Sequence, residues 1–129
     1  MKRANLFVIA AAVATGACFK NPTESKYCTA ELVPALSVTV VDSATNQATL
    51  FTGLYVRASD NSYRDSVNVD LGDVQKGQVV VPIAYERSGV FSVAVKANGY
   101  NLWTKSGVVV GADNCHVITV PLTAKLVKS

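Results

Sequence analysis

From Leu36 onward the apolar residues recur at every second position: Leu36, Val38 and Val40, then Phe91, Val93, Val95 and Ala97, then Ile118, Val120 and Leu122. Successive side chains of a strand point to opposite faces, so a period of two predicts strands with one face buried. Stretches 54–58, 63–69, 79–85 and 102–110 are further strand candidates. Between these runs lie DSATNQ, SDNS, GD, QKG, RSG, NG and GADN, which are rich in residues that turn the chain. At Asn98-Gly99 the chain leaves an alternating strand, and Gly99 can take the positive φ that such a turn requires. Beyond the first residues, no apolar pattern of helical period is sustained. Seven strands at short spacing predict an all-β sandwich. Valine and threonine enrichment fits this, because branching at Cβ restricts helical rotamers and packs well on pleated surfaces.

The N-terminal segment has a different pattern. Met1, Lys2 and Arg3 precede an apolar run over 4–14 (ANLFVIAAAVA), followed by Thr15, Gly16, Ala17 and Cys18. A basic start, a short apolar run and small residues before a break point make a signal peptide pattern. A run of about eleven residues is too short to span a bilayer, which takes roughly twenty. The segment resembles the lipobox of bacterial lipoproteins, in which a cysteine after small or apolar residues is acylated and becomes the new N-terminus. Thr15 stands where that pattern commonly has Leu. The resemblance implies a signal peptide over 1–17, lipid on Cys18, and a membrane as the protein's first partner. Two or three acyl chains, at about 0.8 kcal/mol per buried methylene, would hold durably. Phe19 is not the Asp that retains many lipoproteins at the inner membrane, so the expected location is the cell envelope, at the outer membrane where there is one.

Lipid on Cys18 leaves Cys28 and Cys115 as a pair, and in an exported domain two remaining thiols are expected to bridge. The competing arrangement is a metal or redox site formed by Cys28, Cys115 and His116. Adjacent residues of a strand point to opposite faces, so Cys115 and His116 would converge poorly on one ion, and His116 is expected to face solvent at the start of a strand. Residues 18–27 read as a lipidated tether of roughly 30 Å at full extension, and 28–129 as one domain.

The whole chain carries a net charge of +3, and removal of Lys2 and Arg3 leaves ten basic side chains against nine acidic. This near balance lacks the clustered cations that a phosphate backbone requires, so nucleic acid is not an expected partner.

Two pieces of the domain carry a family likeness. One is an opening strand followed by an Asp and a Thr-containing turn, from Val38 to Asn46. The other is Gly89, then Phe91, an alternating strand, and the pair Gly99-Tyr100. Over about residues 36–123 the chain resembles the carboxypeptidase regulatory-like domain. The resemblance implies a seven-stranded Greek-key β-sandwich of the prealbumin or transthyretin-like kind. It also implies a non-catalytic accessory module, of the sort appended to peptidases, outer-membrane receptors and surface proteins, or found alone on small lipoproteins. It implies no active site.

The residues themselves point the same way on chemistry. Nucleophilic catalysis needs a base within hydrogen-bond reach of the nucleophile, and the single histidine lies beside a cysteine expected to be bridged, so no triad is expected. The carboxylates Asp60, Asp65, Asp70, Asp73 and Glu86 fall in turns and on polar faces, where they are usually solvated. The oxygen-rich groups Asp60-Asn61-Ser62, Asp70 to Asp73 and Asp113-Asn114 lack metal-ligand spacing and are expected to bond their own backbone. No cofactor and no metal are expected. Trp103 shares a strand face with Asn101 and Lys105, which predicts a partly exposed indole. With Tyr63 or Tyr85 it could stack on a glycan or anchor an envelope protein, the alternative being that it caps one end of the core. Tyr100 is expected to pack at a core corner.

Overall fold

The structure is a computed structural model that describes residues 27–69 and 79–129. The leader over 1–17, Cys18, nearly all of the tether, and the carboxylates Asp70 and Asp73 lie outside the described residues. Seven strands make up the domain: β1 (Pro34–Asp42), β2 (Leu54–Ser59), β3 (Arg64–Val69), β4 (Val79–Tyr85), β5 (Gly89–Lys96), β6 (Trp103–Val110) and β7 (Val120–Leu126). Among the described residues there is no helix. A three-stranded sheet has the order β4-β1-β7 and a four-stranded sheet the order β3-β2-β5-β6. β1 runs antiparallel to β4 and parallel to β7, whereas every pairing in the larger sheet is antiparallel.

The two sheets enclose one apolar core. Leu36, Val38 and Val40 of β1 face Val56, Phe91, Val93 and Val95 of the larger sheet, all of them buried. This is the alternation read from the sequence, with Ser37, Thr39 and Ser92 on the opposite side of their strands, where Ala94 is also nearly covered at 9% exposure. Two strands depart from a strict period of two. In β4, Val79, Val81 and Ile83 point inward, but Ala84 takes φ 60° and is buried as well, so Tyr85 turns out to solvent. In β6 the register against β5 slips between Phe91 and Val93, where Phe91 pairs with Val108 and Val93 with Lys105. The extra residue sits beside Gly107 at φ 69°, a left-handed conformation in which glycine carries no Cβ penalty. The bulge puts Trp103 and Lys105 on the same inner face as Val108 and Val110, although the two pairs have opposite parity.

β7 begins later than its alternation predicts. Ile118, expected to point inward, is 58% exposed, and its backbone N–H donates to Gly111 O in a loop. Pairing with β1 starts at Val120, and Leu122, Ala124 and Leu126 carry the inward face. The Thr119 hydroxyl donates to Pro34 O at 2.6 Å, so the chain bends into the sheet only there.

Strand ends group the loops into two sets. One end gathers the β2–β3 turn, the β4–β5 turn, the β6–β7 loop and the residues that lead into β1. The other gathers the β1–β2 loop, the β5–β6 turn and the C-terminal residues.

Candidate functional site

The residues leading into β1 are fastened to the rest of the domain at the first of these ends. Cys28 and Cys115 form a disulfide with a Cα–Cα distance of 5.2 Å. Next to it, the Thr29 hydroxyl lies 3.1 Å from His116 Nε2, and His116 Nδ1 lies 2.9 Å from Glu86 Oε1. An ionised carboxylate can only accept, so Nδ1 carries the proton and Nε2 is free to accept from the threonine. The same Glu86 oxygen accepts the Val33 N–H at 2.7 Å, and Glu86 N donates to Val33 O at 2.9 Å. The Val33 N–H, followed by the imidazole, holds the Glu86 carboxyl below its ordinary range. Asp113 Oδ1 accepts the backbone N–H of both Cys115 and His116 at 2.8 Å, which shapes the bend in which they sit.

His116 therefore does not open a strand facing solvent. It sits in a bend, its side chain 20% exposed and held at both ring nitrogens. The sequence reading also missed the order of groups around it. Thr29, His116 and Glu86 form a hydroxyl, imidazole and carboxylate chain, the connectivity of a nucleophile, base and orienting acid. Residues 29, 86 and 116 are too far apart in sequence for spacing to have shown it. Thr29 and His116 each adjoin a cysteine of the disulfide, and Glu86 spends part of its carboxylate on Val33. Their bonds pin the entry to β1 against the β4–β5 turn.

Beside this cluster lies the β2–β3 turn. Residues Ser59 to Arg64 line an open cleft of about 410 Å³. Asp60 Oδ1 accepts the backbone N–H of Ser62 at 2.9 Å and of Tyr63 at 2.8 Å, which closes the turn on itself. The Ser62 N–H, with Tyr63 N–H and Arg87 adding to it, draws the Asp60 carboxyl below its ordinary range. The Arg87 guanidinium stacks 4.0 Å from the centre of the Tyr63 ring, and burial, then Asp65, pushes the Tyr63 phenol up. Asp65 Oδ2 accepts Ala84 N at 3.0 Å and so ties the edge strand β3 of one sheet to β4 of the other. Among the described residues no group of three His, Cys, Asp or Glu could hold a metal ion.

The three aromatics expected to share a surface are distributed differently. Tyr63 precedes β3 at one edge of the larger sheet and Trp103 starts β6 at the other, so they are three strand spacings, roughly 14 Å, apart across the sheet and are displaced along the strands as well. Trp103 is half-buried against the core over the inner face. Tyr85 is 42% exposed at the end of β4 in the smaller sheet. Tyr63 and Tyr85 lie at the fastened end and Trp103 at the opposite end, so the structure does not bring the three together. No protein-family model, curated protein or solved structure matches the chain.

Proposed function

We propose that this chain is an exported lipoprotein, acylated on Cys18, whose β-sandwich is a non-catalytic contact module held at the cell envelope, on the outer membrane where there is one. The observation that carries the reading is the Cys28–Cys115 disulfide. A bridge between these residues suits an oxidising compartment, and it leaves Cys18, at the end of the apolar leader, as the one cysteine without a partner in the sequence. The bridge also fastens the domain ten residues downstream of Cys18, so a lipid there would keep the domain within a few nanometres of its bilayer.

Strand order supports the fold reading. A Greek-key sandwich of the transthyretin-like kind needs the fourth strand to return beside the first, and here β4 lies beside β1 while β2 and β3 pair in the facing sheet. Parallel pairing of β1 with β7 completes the smaller sheet in the same sense. The two sequence pieces that resemble the carboxypeptidase regulatory-like domain also meet in space, through Asp42 and Tyr100.

Membrane fractionation and intact mass test the anchor. The wild-type chain is expected in the membrane fraction, without residues 1–17 and with a mass raised by acyl chains, and Cys18→Ser is expected in the soluble fraction. A Cys18→Ser variant that stayed with the membrane would overturn the reading.

A further inference from the structure

We infer that the outer face of the four-stranded sheet is a binding surface for a linear acidic carbohydrate. Strand register places three cations on that face in a diagonal row. Arg64 of β3 pairs with Ser59 of β2, Arg57 of β2 lies between Ser66 of β3 and Ala94 of β5, and Lys96 of β5 pairs with Tyr55 of β2. Each cation is thus the diagonal neighbour of the next, about 7–8 Å away, across three strands. The other outward positions that flank the row are uncharged, with Arg64 and Lys96 exposed and Arg57 half-buried beside Ala94. Among the described residues no carboxylate pairs with any of the three. The nearby acids are spent elsewhere, Asp65 on Ala84 N and Asp60 on its own turn.

Like charges placed this close on a sheet repel each other, and an anionic ligand would relieve the repulsion. Evenly spaced cations suit a polymer with regularly repeated carboxylates. Hydroxyl side chains and the half-buried ring of Tyr55 supply the hydrogen bonds and the flat apolar contact that sugars take. A bilayer fits the same face less well. No exposed large aliphatic side chain belongs to the three rows, and Val90 and Val109, which pair with each other, sit in the next row toward the fastened end. The inference does not depend on the lipid anchor and uses none of Trp103, Tyr63 or Tyr85.

Calorimetric titration of the full chain in uncharged detergent tests it, with an oligomer of galacturonic acid, a neutral galactose oligomer of equal length, and phosphatidylglycerol-containing vesicles as probes. The acidic oligomer is expected to bind, to weaken as salt is raised, and to lose at least tenfold in affinity on the double substitution Arg57→Gln/Lys96→Gln. The charge-matched pair Lys105→Gln/Lys125→Gln, on other faces, is expected to change it less than twofold, and the neutral oligomer not to bind. Melting curves establish that each variant is folded, and Arg64→Gln, at an exposed position, serves if the double variant is not. Failure of the acidic oligomer to bind, equal losses in the two charge-matched pairs, or binding to vesicles without binding to the oligomer would each overturn the inference.

Discussion

The Tyr100 hydroxyl donates to Asp42 Oδ2 at 2.8 Å and joins the end of β1 to the turn after β5, 58 residues later. Asp42 occupies an inward position and is 5% exposed, the one buried charged residue among those described. Its carboxylate is satisfied on both oxygens, since Oδ1 accepts Ala44 N at 2.8 Å. The Phe51 ring meets Tyr100 edge-on at 5.3 Å, and Lys128 stands 4.0 Å from Oδ2. Tyr100→Phe keeps the ring contact and removes only the donor. A drop of about 4–8 °C in melting temperature is expected, the effect of one net hydrogen bond in a domain of this size. Asp42→Ala is expected to fall further, because it strands both donors. A Tyr100→Phe variant that melts with the wild type would show that the bond contributes nothing.

The same bond links stability to pH on both the acid and the alkaline side. Tyr100, then Ala44 N–H, holds the Asp42 carboxyl below its ordinary 3.8, so the unfolded chain binds this proton more readily than the folded one. Its stabilisation is complete above the unfolded value and is lost as pH falls through the folded one. Asp60 and Glu86, both drawn down by backbone N–H groups, lose theirs in the same direction. Tyr100 is pushed above its ordinary 10.0 by Asp42, so its contribution is complete below that value and is lost as pH rises through the folded one. Melting temperature is expected to be level between about pH 5 and 9 and to fall on both sides. In Tyr100→Phe the alkaline fall is expected to shrink, with only Tyr63 left to contribute there among the shifted phenols.

Gly53 precedes β2 at φ 58°, and a Cβ built there would lie 2.8 Å from the Asn98 side-chain nitrogen. The Asn98 backbone N–H donates to Thr52 O at 2.9 Å, which keeps its main chain beside Gly53. Gly53→Ala therefore meets a left-handed backbone, and the amide end of the exposed Asn98 side chain has to swing aside. A loss of about 1–2 kcal/mol is expected in urea unfolding from the backbone conformation alone. Gly99→Ala, at φ 78° with open space around it, carries only the conformational part, so it is expected to cost no more than Gly53→Ala.

Thr29, His116 and Glu86 have the connectivity of a nucleophile, a base and an orienting acid, but their bonds close the entry to β1. An activated ester is expected to hydrolyse no faster with the wild-type chain than with His116→Ala. A rate lost on both Thr29→Val and His116→Ala would make the cluster an active site.

Strands with a regular alternation could be read largely from the sequence, because Leu36, Val38 and Val40 of β1 and Phe91, Val93 and Val95 of β5 are buried as the period of two requires, although Ala35 and Ala94 between these positions are buried as well. Breaks in parity hid the rest. Gly107 let β6 bulge, so a strict period over 102–110 could not assign the faces on both sides of it. Ile118 continued an apolar alternation that the backbone does not follow, since pairing of β7 begins two residues later. Asp42 read as the first residue of a turn, whereas it is the last inward residue of β1, and its partner lies far along the chain. His116 showed the same difficulty, for its place depends on Thr29 and Glu86, which only the fold brings near. The Cys28–Cys115 pair was accessible by counting because so few combinations exist.

That pair supports a final prediction. The disulfide closes a loop over a sequence separation of 87, for which the loss of unfolded-chain entropy corresponds to about 4–5 kcal/mol. Reduction, or Cys28→Ser/Cys115→Ser, is expected to lower unfolding stability by roughly that amount. The surrounding hydrogen bonds complicate the local consequence, since Thr29 to His116 and Val33 to Glu86 hold the same segment. While the bridge is intact, the segment is already confined, so loss of one such bond in Thr29→Val is expected to leave the Val33 amide protected. Once the bridge is reduced, those bonds alone oppose fraying of the residues before β1. Amide exchange at Val33 is then expected to accelerate more than exchange in the middle of β1, and to accelerate further in Thr29→Val. Equal exchange at Val33 in oxidised and reduced protein would show that the hydrogen bonds suffice and that the bridge acts on the unfolded chain alone.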